Sequence, residues 1–276
     1  MRLVHTTAEL RAVLAGPHRT GRLAFVPTMG ALHEGHVRLM RLARTECDAV
    51  AASIFVNPAQ FNDPADLAAY PRPEARDAAM AAEAGVDVLF VPAADEVYKQ
   101  GHATSVVVRG AAIGFEGDHR PGHFNGVALV CTKLFAMVQP HVAYFGQKDA
   151  QQVAVIRQVV RDLNLPIEIR VVPTVRDEHG LALSSRNARL SPAEVARAHA
   201  IPRALQAALM AHRRGTDPVA AARRALGTLT PEYLAVAVFD GVPTIVVAVR
   251  VGGVRLIDNV PLDHPDLAGL SDRDTL

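Results

Sequence analysis

The sequence predicts an α/β protein, with a doubly wound parallel sheet followed by a smaller C-terminal α+β domain. Three observations carry that prediction. Short apolar runs alternate with helix-patterned segments from Leu23 to Val172, at the spacing of strand–helix–strand units. The stretch LAFVPTMGALHEGHVRLMRLAR, Leu23 to Arg44, reads as a buried strand, a glycine turn and an amphipathic helix in immediate succession. After about Val175 the composition shifts to alanine- and arginine-rich helices and then to short strand-like runs. A Rossmann-like domain is therefore expected over 1–175 and an α+β lid domain over 176–276.

In order, Thr7 to Leu14 reads as a first helix with Thr6 or Thr7 as its N-cap. Leu23 to Val26 is a core strand closed by Pro27, and a helix begins near His33. Asp48 to Phe55 is a second buried strand, running into the polar loop Asn57 to Asn62. Glu74 to Ala84 is a helix ended by Gly85, and Val86 to Val91 a third strand. Ala93 to Gly122 is less regular, with a small strand expected at Thr104 to Arg109 and a polar loop at Glu116 to His123. A helix from Phe124 to Val138, a strand from His141 to Phe145, a helix from Gln151 to Leu163 and a strand from Ile167 to Val172 complete the first domain. The second opens with a polar loop, Arg176 to Arg189, and a long helix from Pro192 with Ser191 as N-cap. A helix from Pro218 to Leu226 follows, then strands at Tyr233 to Phe239, Thr244 to Arg250 and Val254 to Ile257; Gly252-Gly253 marks a hairpin.

Bulk composition narrows the function classes. The chain has 276 residues, half of them apolar, enough for one large or two ordinary packed cores. A net charge of +1 supplies no basic stripe for a nucleic-acid partner. No apolar run reaches the roughly 18 residues of a membrane span, and the N-terminal stretch lacks the apolar centre of a secretory signal. Cys47 and Cys131 sit far apart in apolar contexts, as free buried thiols of a reducing compartment do. A cytoplasmic protein is expected.

Candidate chemistry starts at the glycine turn. His33 and His36 flank Gly35, and their spacing of three puts both imidazoles on one face of a first helical turn. The unpaired N–H groups and dipole of that turn favour a phosphate there. Gly30 and Gly35 lack a Cβ, so a ligand is expected close against the backbone. Two histidines also suit a metal, but no third ligand is evident nearby. Lys148, in Gly146-Gln147-Lys148-Asp149 directly after a strand, either neutralises phosphoryl charge or is a solvated turn lysine. Asp149 caps the next helix or meets a metal, and capping is favoured. Ser184, Ser185 and Arg186, after Gly180, offer hydroxyls and a planar fork to phosphate oxygens, or form an ordinary interdomain loop. Gln60 and Gln152 suit a small substrate bearing hydroxyl and carbonyl groups. Arg120 and His123 either help hold an anion or shape their loop.

Together these segments resemble a known family. PTMGALHEGH, from Pro27 to His36, is similar to the HxGH motif of the adenylate-forming nucleotidyltransferases, and Gly180 to Asn187 resembles their mobile KMSKS-type loop in a form without lysine. More narrowly, PTMGALHEGH, SIFVNPAQF, RPGHFNGVA, KLFAMVQP, YFGQKDAQQ, VIRQVVRDLNLP, PTVR, GLALSSRN and RLIDN follow the order of the pantoate–β-alanine ligases, from about Phe25 to Asn259. The resemblance implies an AMP-forming ligase that condenses ATP, pantoate and β-alanine to pantothenate, AMP and pyrophosphate through pantoyl adenylate. It implies nucleotide contacts from Met29, Gly30, Ala31, Leu32, His33, Glu34, Gly35 and His36, from Gly146, Gln147, Lys148 and Asp149, and from Val175 and Leu183. It assigns charge stabilisation to His33, His36 and Lys148, and the outgoing pyrophosphate, with bridging Mg²⁺, to Ser184, Ser185 and Arg186. Pantoate falls to Gln60 and Gln152, with Asn57 and His123 close by. Sparse acids and amides around Asp77 leave protein metal ligands unassigned. The family is typically homodimeric. A transferase acting on a phosphorylated acceptor shares the two-histidine turn but does not need the Gln60 and Gln152 pair. A non-catalytic nucleotide-binding regulator does not need the whole polar set.

Overall fold

The computed structural model describes residues 1–15 and 21–265. The backbone divides into two units, Met1–Gly146 with Gln151–Val172, and Gln147–Ala150 with Pro173–Leu276. Residues 266–276, which the sequence places in the second domain, lie outside the described residues.

In chain order the first unit is built from β1 (Arg2–Val4), α1 (Thr7–Leu14), β2 (Leu23–Thr28), α2 (Glu34–Glu46), β3 (Ala49–Ile54), α3 (Pro64–Ala68), α4 (Glu74–Glu83), β4 (Val88–Phe90), α5 (Ala94–Val97), α6 (Phe115–His119), α7 (His123–Val138), β5 (Val142–Gly146), α8 (Ala150–Asp162) and β6 (Glu168–Val172). Among the described residues its six strands form one parallel sheet in the order β1-β4-β3-β2-β5-β6. The chain steps from β2 through β3 to β4 and then returns to β5 on the other side of β2. The order thus reverses between β2 and β5, and their carboxyl ends open on the crevice where such sheets take ligands.

Alternation along β2 divides the core between two faces. Leu23 and Phe25 join Leu10, Leu14, Phe135, Phe145 and Ile156, from the side of α1, α7 and α8. Ala24 and Val26 join Val37, Met40, Ala81, Leu89 and Tyr144, from the side of α2 and α4. With both faces covered, β2 and β3 are buried almost throughout, which is why they read as unbroken apolar runs.

The second unit carries α9 (Pro192–Ala198), α10 (Ala200–Arg213), α11 (Pro218–Leu226), β7 (Pro231–Phe239), β8 (Val242–Val251) and β9 (Val254–Pro261). The three strands form an antiparallel sheet in the order β7-β8-β9. Ile201, Leu205 and Leu209 of α10 pack with Ile245, Val247 and Val249 of β8 in a core of its own.

Several expectations are corrected. Thr104 to Arg109 is not a strand; Val106 and Val108 instead pack on Phe124, Val155 and Val159, and the Val108 N–H donates to Asn125 Oδ1 at 3.2 Å. The expected polar loop from Glu116 to His123 contains helix α6, because the Glu116 N–H is taken by Gln151 Oε1 at 3.0 Å and Glu116 is buried. The long helix from Pro192 is two helices meeting at His199. Pro202 has no N–H for the Ala198 carbonyl, and its ring excludes that carbonyl, so the first helix stops at Ala198. Strand β2 runs on through Pro27 to Thr28; its pairing with β5 covers only Ala24 and Phe25, so Pro27 lies beyond that ladder.

Candidate active site

The turn between β2 and α2 is tied down from below. Thr28 Oγ1 donates to the Ser53 carbonyl at 2.7 Å and accepts the Gly30 N–H at 3.1 Å. Gly30 and Ala31 then take left-handed conformations, φ 79° and 51°. For Ala31 that costs energy, and the surroundings must hold it. Asp77 does so from α4: its Oδ2 accepts the Ala31 N–H at 2.7 Å and its Oδ1 the Leu32 N–H at 2.8 Å. Its carboxylate is 1% exposed and spends both oxygens on the turn.

Beyond the turn, the histidines cap α2 reciprocally. His33 is the N-cap, and its Nδ1 accepts the Gly35 N–H at 3.1 Å. His36, three residues on, accepts the His33 N–H on its Nδ1 at a longer 3.4 Å. This is the capping-box pattern with imidazoles in place of a hydroxyl and a carboxylate. An Nδ1 that accepts carries no proton, so each neutral ring has its N–H on Nε2. The ring centroids are 4.2 Å apart. The two glycines also make room for parts of the fold itself. A Cβ on Gly35 would stand 2.8 Å from His33 Cε1, and one on Gly30 would stand 2.8 Å from Ile54 Cγ2 and 3.0 Å from Asp77 Oδ2. Those glycines make room for the histidine ring and for the clamp.

A second polar cluster adjoins the turn through Met29, whose Sδ takes Gln60 Nε2 at 3.0 Å. Asn57 Nδ2 donates to Gln60 Oε1 at 2.9 Å and to the Gly126 carbonyl at 3.1 Å, while its Oδ1 accepts from the Tyr98 hydroxyl at 2.7 Å and the Ala59 N–H at 3.2 Å. Burial, with the Cys131 thiol beside it, pushes the Tyr98 hydroxyl up to about 12, so it stays a donor. Buried His123 gives its Nδ1 proton to the Gln60 carbonyl at 2.8 Å, and its Nε2 accepts from Arg120 at 3.0 Å; Arg120 also reaches that carbonyl at 3.3 Å. Asn57, His123 and Arg120 thus all bear on Gln60. Gln152 is half-buried on α8, next to Gln151, whose side chain bonds the backbone of Ala111, Ile113 and Gly114.

In the second unit, Gln147 to Asp149 forms a single 3₁₀ turn in which the largely buried Lys148 ammonium lies 3.4 Å from Asp149 Oδ1. Asn259 pins that turn, its Nδ2 donating to the Gln147 and Lys148 carbonyls at 3.0 and 2.7 Å. The serine–arginine loop rests on an antiparallel bridge between Arg176 and Ala182, with the Leu183 N–H on the Val175 carbonyl at 2.9 Å. Arg176 forks onto Asp258 at 2.6 and 3.0 Å, both side chains nearly fully buried, and bonds the Gly180 carbonyl at 2.9 Å. Ser184 caps the following 3₁₀ turn, Ser185–Arg189, by accepting the Arg186 N–H at 3.3 Å.

Sequence reasoning did not single out Asp77, Arg176, Asp258 or Asn259 for any role. The available signal was positional. Asp258-Asn259 is a polar pair inside the apolar run of β9, and strand interiors bury polar groups only with partners.

The family model for pantoate-beta-alanine ligase matches residues 2–261. The chain is 49% identical to pantothenate synthetases of Cereibacter sphaeroides and Chloroflexus aggregans, each time over 94% of this chain and 99% of the relative. Its backbone superposes on the crystal structure of pantothenate synthetase from Thermus thermophilus with a TM-score of 0.90 and 45% identity, covering 95% of this chain and 99% of that one. It is also similar to pantoate-beta-alanine ligase from Francisella tularensis, solved in complex with beta-gamma ATP and beta-alanine, with a TM-score of 0.82, 33% identity, and coverage of 96% and 98%.

Proposed function

The chain belongs to the pantoate-beta-alanine ligase family, and on that premise we infer that it condenses pantoate with β-alanine at the expense of ATP, giving pantothenate, AMP and pyrophosphate through pantoyl adenylate. The observation that carries this to its own residues is the reciprocal histidine cap on α2, clamped by Asp77 beside the sheet's switch point.

In the first half-reaction the pantoate carboxylate forms a bond to the α-phosphorus of ATP, and the bond to the departing pyrophosphate breaks. Negative charge builds on the phosphoryl oxygens. The Nε2 protons of His33 and His36, the amino end of α2 and the Lys148 ammonium offset it. The segments Met29 to His36 and Gly146 to Asp149, with Val175 and Leu183, line the nucleotide. Ser184, Ser185 and Arg186 take the pyrophosphate. Gln60 and Gln152 hold pantoate, with Asn57, His123 and Arg120 keeping Gln60 in place. In the second half-reaction the β-alanine amine attacks the acyl carbon and expels AMP, with water kept away from the anhydride.

Mg²⁺ enters as part of MgATP. Among the described residues no group of three or more His, Cys, Asp or Glu is placed to hold a metal, and Asp77 gives both oxygens to backbone N–H groups. The ion would come with the nucleotide and would add positive charge against the phosphoryl oxygens. The same family reading makes the enzyme a homodimer of the cytoplasm; among the described residues no helix is long and apolar enough to cross a membrane.

Pyrophosphate exchange into ATP tests the reading. Exchange is expected with pantoate and absent without it, and His36→Ala is expected to slow adenylate formation by about 10²–10³-fold, the scale of losing one donor to a developing oxyanion, with the fold retained. Exchange indifferent to pantoate refutes the assignment.

A further inference from the structure

We propose that Asn259, near the end of β9, is a positioning residue for Lys148. The proposal rests on the reading of Lys148 as the ammonium that offsets phosphoryl charge.

Lys148 sits in a single 3₁₀ turn, Gln147 to Asp149, that leads directly into α8. A peptide carbonyl has two lone pairs, so each carbonyl of this turn can take a further donor. Asn259 supplies it. Its Nδ2 carries two protons, and they go to the carbonyls of Gln147 at 3.0 Å and Lys148 at 2.7 Å. Its Oδ1 takes Gln147 Nε2 at 3.3 Å. One amide, 4% exposed, thereby holds the backbone on both sides of the peptide bond into Lys148. A lysine stem has four flexible carbons, so the place where its ammonium can reach is set by the backbone it starts from.

Asn259 is itself held. Its N–H donates to Asp258 Oδ1 at 2.8 Å, and its carbonyl takes Arg176 Nη2 at 3.4 Å. The same Arg176 and Asp258 form the buried fork, with side chains 5% and 2% exposed, and Arg176 also bonds the Gly180 carbonyl at the base of the serine–arginine loop. One buried ion pair thus fixes Asn259, and Asn259 fixes Lys148. An amide whose two protons both go to backbone carbonyls beside a reacting lysine is not needed to close the sheet, because Asn259 is already paired with Val246 in the β8–β9 ladder.

The test is single-turnover adenylate formation from MgATP and pantoate, alongside the second half-reaction from supplied pantoyl adenylate and β-alanine. Four variants are compared: Asn259→Ala, Asn259→Asp, Lys148→Ala and the double variant Lys148→Ala/Asn259→Ala. Asn259→Asp keeps the shape but loses both donors, and it stands in if the alanine variant does not fold. The expected result is an adenylation rate about 10- to 100-fold lower for either Asn259 variant, as for misplacement of a reacting group by a fraction of its reach, with the second half-reaction within about twofold of wild type. The double variant is expected to be no slower than Lys148→Ala alone, because Asn259 acts through the lysine. A wild-type rate in the Asn259 variants with a slow Lys148→Ala overturns the proposal. So does a double variant whose loss is the product of the two single losses, or an equal fall in both half-reactions. A normal rate in Lys148→Ala removes the underlying reading of the lysine and this proposal with it, and the single variant alone reveals that case.

Discussion

At Gly35 a hydrogen stands where any other residue would put a carbon 2.8 Å from the His33 ring. The contact is with a side chain, so Gly35→Ala displaces the imidazole rather than the backbone. His33 then loses the bond from the Gly35 N–H, and with it the constraint that keeps its proton on Nε2. The expected outcome is a variant whose unfolding temperature stays within a few degrees of wild type, since one N-cap bond is worth about 1 kcal/mol, while adenylate formation falls at least about tenfold. Stopped-flow adenylation beside calorimetry checks it; an unchanged rate would separate the His33 ring from the chemistry. The two histidines were legible because they stand three residues apart around a glycine, directly after a strand and a glycine turn; their reciprocal capping was not. Nor was Asp77. It recognises Ala31 and Leu32 through their N–H groups, which every residue but proline carries, across more than forty positions of chain. The scarcity of acids around Asp77 left protein metal ligands unassigned, and the structure gives that carboxylate to the turn.

Elements were legible where their ends are written locally. The helix starts at Pro218 and at Pro192, the latter with Ser191 as its N-cap, were expected from the sequence; in the structure Asp217 caps α11 and Ser191 forms a capping box with Glu194 on α9. They were illegible where tertiary partners decide. Val106 and Val108 alternate as a strand would, yet among the described residues no strand pairs with them, and the alternation serves packing on Phe124 instead. Helix α5 is a further case, since its meaning lies in what Glu96 reaches. Its Oε1 accepts the Thr7 N–H at the start of α1 at 2.9 Å, and its Oε2 takes Lys99 at 2.8 Å. The Lys99 bond first, then the bonds from Thr7, holds the carboxyl down from 4.5 to about 2. A carboxyl depressed in the folded state stabilises fully above its unfolded value and loses that contribution as pH falls through the folded one. Comparing wild type with Glu96→Gln by urea unfolding, the stability difference is expected to be constant above about pH 5 and to fade between about 4.5 and 2. A difference independent of pH over that window would mean that the carboxylate charge contributes nothing there.

The whole molecule is organised by its cores, and the sequence foreshadowed this by changing composition near Val175. The sheet of the first unit is buried on both faces by the clusters around Phe25 and Met40, whereas α10, α11 and the β7-β8-β9 sheet share a separate cluster around Leu205. What composition could not reveal is that Gln147–Ala150, at the seam between β5 and α8, groups with the second unit. That grouping arises from Asn259, whose side chain and backbone neighbours are visible only once β9 is folded. Separate cores predict separate responses to damage. Leu205 is fully buried, so Leu205→Ala leaves a cavity and costs about 2–5 kcal/mol. That loss falls on the elements that pack on Leu205, and amides open in cooperative groups that follow shared packing. Hydrogen exchange is expected to quicken by about one to three powers of ten in α10 and β8, while the paired amides of β2 and β3 keep their wild-type protection. Equal acceleration in β2 and β3 would show that the two cores melt as one, and that the division seen in the packing has no counterpart in the energetics.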